Sequence, residues 1–325
     1  MAQVNATEAL IRGARDAFVE TYSNMIKGSD EKLKKCMTLG MPSDKISEVY
    51  PYFESAPIVK RWARGEPIPR DAFSSKSFLV PNYDWGVAVD WHENDEEDDQ
   101  TKGLVKRARE AGQSLALLPE RVFFQYLTAG ADADLIPAVP NAPDGVALYS
   151  ATNGGGGARF GIVGGNIITG GGVATTAAIQ TDYYAAVQRF IRMLDTQGQP
   201  LWPAELVGRG VTIVYGAANG QVFEQAFQQN FIQATGAAVS NVVMDAGRKV
   251  TLWSTPRITD NDWYVFLDAA ADKSIFQQVR RPVRDNLEDM LNSDQSRRTK
   301  NKAISWDARF GFGIALPYQT VKVNN

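Results

Sequence analysis

The stretch SFLVPNYDWGVAVDWHENDEEDD, residues 77–99, starts with alternating apolar and polar residues and ends in a run of acids. Large or branched apolar side chains occupy every second position of its middle part: Tyr83, Trp85, Val87, Val89 and Trp91. This period of two predicts a strand with one apolar face. A face of that size needs a partner surface that buries it.

The residues before this strand have a different composition. Residues 56–76 carry several prolines, charges of both signs and little periodicity, which predicts an extended, exposed excursion. Nearer the N-terminus, apolar residues recur at three- and four-residue steps across residues 7–27, with Thr7 at the N-cap position. This pattern predicts an amphipathic helix. A second, short helix is predicted near residues 43–50.

Basic residues follow the acid run within residues 93–130. That order favours a helix beginning near Asp98 or Asp99, because carboxylates are stabilised at the positive N-terminal end of the helix dipole. Pro119 is expected to kink this helix or to split it in two. At the helical rise per residue the whole element would reach about 45 Å, which is typical of a spine rather than of a compact enzyme domain.

Residues 131–180 are rich in glycine and poor in charge, and they include the run TNGGGGARFGIVGGNIITGGG. This tract contains neither of the glycine motifs that bind nucleotide phosphates, and no clear strand and helix start flank it in the sequence. We therefore predict a long surface loop, flexible or tightly turned, with room for a short hairpin.

The remaining sequence alternates helical and strand patterns, so the predicted fold class is α+β. Helices are predicted at about 181–196 and 219–234, and a buried strand at about 211–216. Further strands are predicted in SNVVMD (240–245), KVTLWST (249–255), DWYVFLDA (262–269), SIFQQVRR (274–281) and ISWDARFGFGIALPYQTVKV (304–323). The charged residues 285–302 are predicted to form a connector.

Composition limits the function. The 325 residues carry a formal net charge of -3, which argues against tight, non-specific binding to nucleic acid. The single cysteine, Cys36, excludes an internal disulfide and favours a reducing compartment. The sequence has no signal-peptide pattern and no apolar run near the ~20 residues of a membrane helix. We therefore expect a soluble chain made in the cytosol, with no membrane partner.

The candidate chemical groups do not combine into a site. His92 is the only histidine, whereas a zinc-binding helix needs two, and the acids after it do not follow the spacing of a calcium loop. No nucleophile elbow accompanies the histidine, and Cys36 follows two lysines without a further motif. We predict no enzyme activity, no metal and no cofactor.

An ordered set of short motifs resembles a known family. The motifs are Arg61-Trp62-Ala63-Arg64-Gly65, Asn82-Tyr83-Asp84-Trp85, Asp98-Asp99, Pro119, Leu127 to Gly130, Asp144-Gly145 through Tyr149-Ser150, GQPLWPAELV (198–207) and SWDARFGFGIALPYQ (305–319). Together they resemble the Mu-like prophage major head subunit, within the Hong Kong 97-type capsid fold of tailed phages. The chain departs from that pattern at Asn153, where the family often has histidine, and in its longer glycine tract.

The resemblance implies a division of the chain into four parts. These are an N-terminal arm (1–55), an extended E-loop (56–94), a peripheral domain with the spine helix (95–180 and 250–325) and an axial domain around the five-fold and six-fold centres (181–249). It also implies that the apolar face of the strand at residues 83–91 is buried between chains. The acid run would then contact basic residues of a neighbouring subunit.

The resemblance further implies a major capsid protein that self-assembles into the icosahedral shell enclosing the DNA genome of a tailed phage or prophage. Its partners would be other copies of itself in pentamers and hexamers, a portal protein, a separate scaffolding or decoration protein, and double-stranded DNA that it contacts weakly. It would be made and assembled in the cytoplasm of a bacterial host and end in the virion capsid. The inter-subunit contacts would involve Trp62, Arg64, Arg70, Tyr83, Trp85, Trp91, Asp98 and Asp99.

Two other functions fit parts of the sequence. One is an encapsulin-like nanocompartment shell with the same fold, which would enclose enzyme cargo rather than DNA. The other is a nucleotide-binding enzyme that uses the glycine tract for a phosphate.

Overall fold

The computed structural model describes residues 2–53, 55, 59–62, 67, 75–92, 94, 103–130, 132, 134–203, 205, 210–229, 231–234, 237–240, 249–268, 272–286 and 300–325. Its α-helices are α1 (Ala2–Cys36), α2 (Gly103–Ala116), α3 (Leu118–Thr128), α4 (Thr176–Arg192) and α5 (Gly220–Gln228). Short 3-10 helices lie at Arg159–Gly161, Ala217–Asn219 and Pro317–Gln319.

The strands in the same part of the chain are β1 (Met37–Pro42), β2 (Ser47–Phe53), β3 (Ser75–His92), β4 (Ile167–Thr169), β5 (Val211–Gly216), β6 (Phe231–Ala234), β7 (Ala237–Ser240), β8 (Val250–Thr255), β9 (Trp263–Leu267), β10 (Ile275–Asp285), β11 (Asn301–Ile314) and β12 (Thr320–Asn324). They form two five-stranded sheets and one hairpin, β6–β7. This mixture confirms the predicted α+β class.

The first sheet has the strand order β1-β10-β11-β3-β2. Its long strand β3 shows the predicted alternation, with exposed residues between buried or half-buried apolar ones from Tyr83 to Trp91. Helices α1 and α2 lie against the apolar face, where Phe18 stacks on Trp306 with ring centroids 4.1 Å apart. Gly112 permits this close approach of the two helices, because a Cβ there would lie 2.9 Å from the Phe18 carbonyl oxygen.

The expectation that the apolar face of β3 is buried between chains is wrong for Val89 and Trp91. Val89 and Trp91 belong to a core that also contains Phe18, Leu104 and Trp306 of the same chain. The sequence pattern indicated that a partner surface was needed, but it could not indicate that α1 and α2 supply that surface. The partner of a strand face is set by contacts between residues far apart in the chain.

The second sheet has the order β4-β12-β9-β5-β8 and is covered on both faces. Helices α4 and α5 pack on one face, where Phe223 of α5 stacks on Tyr215 at 4.2 Å. Helix α3 packs on the other face through Phe123, which lies 5.4 Å from Trp253 and 5.6 Å from Phe266 between ring centroids. The second sheet therefore joins the two apolar cores of the molecule.

The local predictions have mixed outcomes. Pro119 splits the spine as expected, because α2 ends at Ala116 and α3 has this proline in its first turn. The helix predicted near 43–50 is wrong, since β2 occupies residues 47–53 and pairs with β3. The helix predicted to reach residue 234 ends at Gln228. Tertiary strand pairing overrides local helical spacing at both places.

Other elements agree with the sequence patterns or lie outside the structure's range. The predicted helices at 7–27 and 181–196 correspond to α1, which is longer at both ends, and to α4. The predicted strands at 211–216, 249–255, 262–269, 274–281 and 304–323 correspond to β5, β8, β9, β10, β11 and β12. The start of the spine near Asp98, most of SNVVMD and most of the 285–302 connector lie outside the described residues.

Candidate assembly surfaces

A two-stranded ribbon extends one edge of the first sheet. It consists of β2 and the part of β3 that pairs with it, residues 47–53 and 75–81, and we call it the arm. The antiparallel register sets Val49 opposite Leu79 and Tyr50 opposite Phe78. Because alternate residues of a strand point to opposite faces, the two pairs mark two different faces of the arm.

One face of the arm packs on its own chain through aromatic rings. The Tyr50 ring lies 5.0 Å from that of Phe276, in an edge-on arrangement, and 5.7 Å from that of Phe78. Gly313 of β11 makes room for this cluster, since a Cβ there would lie 2.7 Å from Val80 and 2.8 Å from Phe276. This cluster fixes the arm to the sheet at its root.

A chain of side-chain hydrogen bonds crosses the arm root. The Tyr50 hydroxyl donates to Gln278 Oε1 at 2.8 Å. Gln278 Nε2 donates to Asn82 Oδ1 at 3.0 Å, and Asn82 Nδ2 donates to Ser43 Oγ at 2.8 Å. The Ser43 hydroxyl donates to Glu48 Oε1 at 3.1 Å. These bonds connect β2, β10, β3 and the turn between β1 and β2.

Gly311 is the position that allows Gln278 to span the sheet. The register aligns Gln278 of β10, Gly311 of β11 and Asn82 of β3 in one row. A Cβ at Gly311 would lie 2.5 Å from Gln278 Nε2 and 2.5 Å from the Pro81 carbonyl oxygen. The alternating glycines of the segment FGFGIA (residues 310–315) therefore leave room for side chains of the neighbouring strands that cross above β11.

Glu48 closes the turn that leads into the arm. Its Oε1 accepts hydrogen bonds from the backbone N–H groups of Asp44, at 2.8 Å, and Lys45, at 2.9 Å. The bond from Asp44 and then that from Lys45 lower the pKa of Glu48. The turn is thus held by a carboxylate that is ionised near neutral pH.

The opposite face of the arm exposes apolar side chains. Val49 is 60% exposed and its cross-strand partner Leu79 is 59% exposed, while Ile46 in the preceding turn is 70% exposed. Such residues rarely lie together at a surface that stays in water. The face marked by Val49 and Leu79, which we call the arm's apolar face, is a candidate contact surface, with Ile46 exposed in the turn before it.

The excursion between the two arm strands also presents apolar groups. Val59 is 98% exposed and Trp62 is 55% exposed, with Lys60 and Arg61 between them. A large aromatic side chain beside basic residues is typical of contact surfaces, because tryptophan and arginine are enriched there.

The four described residues among those predicted for inter-subunit contact differ in burial, although the rings of Tyr83 and Trp85 are neighbours, with centroids 6.2 Å apart. Trp62 is exposed, whereas Tyr83 and Trp85 are half-buried and Trp91 is buried in the chain's own core. Trp85 donates its indole N–H to the Phe310 carbonyl oxygen at 3.1 Å, so it is tied to β11. The predicted residues outside the structure's range are Arg64, Arg70, Asp98 and Asp99.

The sequence interpretation missed the arm's apolar face. Val49 was assigned to a short helix, although SEVYPYF (47–53) carries a usable signal in its β-branched and aromatic residues and its central proline. Leu79 lies outside the alternation that begins at Tyr83. Its exposure follows from the register with β2, which the sequence does not specify.

The glycine tract contains a buried polar cluster that sequence reasoning also missed. Arg159 is 1% exposed, and its Nε and Nη2 donate to the two oxygens of Asp144 at 2.7 and 3.0 Å. Asn166 donates to the carbonyl oxygens of Leu148, at 2.8 Å, and Pro317, at 3.0 Å. A bidentate, buried ion pair of this kind holds a tightly turned loop in one conformation. Of the two predicted alternatives, the tract is tightly turned.

The second half of the tract does lie between a strand and a helix, contrary to the sequence interpretation. Its glycines 170–172 connect β4 to α4, but their N–H groups are occupied within the chain. Gly171 donates to both carboxylate oxygens of Asp182, at 3.1 and 2.9 Å, and Gly172 donates to Asn325 Oδ1 at 2.9 Å. The carboxylate occupies the place that a phosphate would need, which argues against a nucleotide site.

A charged cluster lies on the first sheet beside the arm root. Asp307 contacts Arg281, lies 3.0 Å from Arg284 Nε and accepts a hydrogen bond from Asn286 at 2.6 Å. Burial acts to raise the pKa of Asp307, but the bonds from Asn286 and Arg284 and the charge of Arg281 outweigh it, so this pKa is lowered. The cluster ties β10 to β11.

The described residues contain no group of three or more histidine, cysteine, aspartate or glutamate side chains placed to hold a metal ion. Among the same residues, no helix combines the length and the apolar character needed to cross a membrane.

Comparison with known proteins gives two family matches. The model of the phage capsid protein family matches residues 83–323. The model of the Mu-like prophage major head subunit gpT matches residues 9–135. No curated protein matches the chain.

Several solved capsid structures are similar in fold. The capsid of the cyanophage P-SCSP1u has a TM-score of 0.57 and 12% identity, over 89% of this chain and 86% of that one. The capsid of an empty GTA particle has a TM-score of 0.55 and 10% identity, over 90% of both chains. A virus-like particle from Pyrococcus furiosus has a TM-score of 0.51 and 12% identity, over 96% and 98%.

Proposed function

The chain belongs to the phage capsid protein family, and we propose that this major capsid protein self-assembles into the icosahedral shell enclosing the double-stranded DNA of a tailed phage or prophage. The family match over residues 83–323 carries this proposal, because it includes the split spine, the strands of the second sheet, and β10, β11 and part of β3 of the first sheet. The fold is the Hong Kong 97-like capsid fold, and the protein is structural rather than enzymatic.

We assign the arm and the excursion at its end to the E-loop, which would lie over an adjacent subunit. The arm's apolar face supports this assignment, since Val49 and Leu79 are each more than half exposed in the single chain. Fully burying a valine or leucine side chain contributes about 1.5–3 kcal/mol, so these partly exposed residues would contribute less. Contacts of this strength suit a shell that forms from many repeated, reversible interfaces.

We propose a different extent for the axial domain from that implied by residues 181–249. The domain comprises the second sheet with α4 and α5, because β5 pairs directly with both β8 and β9. A boundary between residues 249 and 250 would separate hydrogen-bonded neighbours. The first sheet, α1 and the spine formed by α2 and α3 then make up the peripheral part.

The partners follow from this proposal. The chain would assemble with itself in pentamers and hexamers, attach to a portal protein at one vertex, and use a separate scaffolding or decoration protein. Its formal net charge of -3 supports only weak contact with packaged DNA. Assembly would take place in the cytoplasm of a bacterial host.

An encapsulin-like shell is the second candidate, supported by the likeness to the virus-like particle from Pyrococcus furiosus over nearly the whole of both chains. The two functions differ in the contents of the particle. Nuclease-protected DNA in particles from infected or induced cells supports the capsid, and a protein cargo without DNA supports the nanocompartment.

Negative-stain electron microscopy and light scattering of the purified chain test self-assembly. We expect closed shells, or rings of five and six subunits. A chain that stays monomeric across salt concentrations, with crowding agents and after co-expression with the neighbouring genes of its locus, would contradict the proposal.

A further inference from the structure

The face of the arm opposite its apolar face is turned toward its own chain. The register pairs Tyr52 with Lys76, two positions beyond the pair of Tyr50 and Phe78. Because alternate residues of a strand share a face, Tyr52 and Lys76 lie on the same face as the aromatic pair that packs on Phe276. This face, which we call the inner face, is aromatic at the arm root and polar at the arm end.

A cleft of about 780 Å³ separates the end of the inner face from the glycine tract. Tyr52 and Lys76 line it on the arm side, and Asp144, Asn153 and Asp195 are among the residues that line the other side. The two sides therefore carry opposite charges. Such a polar, open contact between arm and tract can hold the arm only weakly.

A tight turn at residues 195–199 forms part of the far side of the cleft. Asp195 Oδ1 accepts from the backbone N–H groups of Gln197 and Gln199, both at 2.8 Å. Gly198 has a φ of 79°, in the left-handed region that favours glycine. The turn is therefore held in one conformation with the exposed Gln197 at its centre.

The turn is fixed to the glycine tract. Leu194 donates its backbone N–H to the Phe160 carbonyl oxygen at 2.9 Å and forms a bridge with Pro200. The tract itself is held by the buried pair of Arg159 and Asp144. Tract and turn thus form one fixed unit, which we call the platform (residues 144–161 and 194–201).

The platform contacts the end of the arm through Gln197. Its Nε2 donates to Ser55 Oγ at 3.4 Å, two residues beyond the end of β2. A long, exposed bond of this kind contributes little to the stability of the fold. It nevertheless restrains the far end of a ribbon whose other end is fixed at its root, and a restrained segment loses less conformational entropy when a partner docks on it.

We propose that the platform positions the arm of its own chain for assembly and that Gln197 is the positioning residue. The inference rests on the proposed function and gives the glycine tract a role in it. With the inner face held by the first sheet at one end and by the platform at the other, the arm presents its apolar face before a neighbouring subunit binds.

Gln197→Ala tests this role first in the unassembled chain. Amide hydrogen exchange near the arm end, in peptides that cover residues 47–53 and 75–81, should become about threefold faster, which is the factor that a weak hydrogen bond contributes. The concentration needed for assembly should rise by a similar factor. The melting temperature should change little, as for most surface substitutions, and this separates positioning from a general loss of stability.

Gln199→Ala is the matched control, because Gln199 is exposed in the same turn and makes its turn contacts through its backbone. It should behave like wild type in all three measurements. Arm exchange that is the same in Gln197→Ala and in wild type would overturn the inference and leave the proposed function intact. A wild-type chain that never assembles would overturn the proposed function, while the exchange rates would still decide whether the platform holds the arm.

A covalent link between arm and platform gives the second test. The double variant Ser55→Cys and Gln197→Cys is joined within one chain by a short bismaleimide, and mass spectrometry of the monomer identifies the linked peptides. The native thiol will not react, because Cys36 is fully buried and burial raises its pKa. The linked chain should assemble at the wild-type concentration or below it. Assembly that the link abolishes would show that the arm must leave the platform, and would overturn the inference.

Discussion

The side chain of Gln278 crosses β11 directly above Gly311, and it leaves no room there for a Cβ atom. Gly311→Ala should destabilise the unassembled chain by about 1–3 kcal/mol, as overpacking does elsewhere, since its Cβ would lie 2.5 Å from Gln278 Nε2 and from a backbone oxygen. Denaturant unfolding measures the change.

Gly86→Ala is the matched control for that substitution. Gly86 lies in the same sheet, and a Cβ there would have its nearest neighbour at 3.5 Å, in ordinary contact. We expect a change below about 0.5 kcal/mol, as for most surface substitutions. Equal effects of the two substitutions would show that crowding at Gly311 is not the reason for its glycine.

The carboxylate of Asp307 should make the stability of the fold depend on pH. Because its pKa is lowered in the folded state, its carboxylate stabilises the fold above the unfolded pKa of about 4, and this contribution is lost as pH falls through the lower folded value. Asp307→Asn should therefore lower the melting temperature near pH 7, and the difference from wild type should shrink below about pH 4. Thermal melts over this range measure it.

Asp90→Asn is the control for the pH series, since Asp90 is exposed on the same sheet. Its effect on the melting temperature should be small throughout. A wild-type advantage over Asp307→Asn that persists unchanged at pH 3 would contradict an electrostatic role for Asp307.

A substitution on the exposed face of the arm should impair assembly without changing the stability of the single chain. Val49→Asp places a charge at the centre of the arm's apolar face, which is exposed in the single chain and pairs with Leu79. The melting temperature of the unassembled chain should change little, whereas particle formation should be lost or strongly reduced, because an unpaired charge would be buried at each interface. Light scattering measures assembly.

Val163→Asp serves as the control for the arm substitution, because Val163 is exposed, like Val49, but lies in the glycine tract rather than on the arm. It should assemble like wild type. Normal assembly of the Val49→Asp variant would show that the arm's apolar face does not contribute to contacts between subunits.

Element by element, the success of the sequence interpretation depended on whether the signal was local. The alternation in β3, the split at Pro119 and the amphipathic α4 are local patterns, and the structure confirms them. The strand β2 and the exposure of Leu79 depend on a register between two segments separated by the excursion, and the prediction failed there. The Arg159–Asp144 pair was missed because burial of a charge depends on the whole fold.

For the whole molecule, order along the chain was more informative than any single motif. Each motif was short, yet their order along the chain indicated a Mu-like major head subunit with a capsid fold. The comparisons then matched the Mu-like family model over residues 9–135 and the phage capsid family model over residues 83–323. The division into domains was less predictable, since the second sheet takes strands from before and after the 249/250 boundary. Sheet membership of this kind is a property of the folded chain.

The most direct test of the assembly account is an electron cryomicroscopy reconstruction of the assembled particle. We predict a closed shell in which an adjacent subunit covers Val49 and Leu79 of each arm and Ile46 in the turn before it. A shell in which these three side chains remain exposed to solvent, with the subunits joined through other surfaces, would contradict the account.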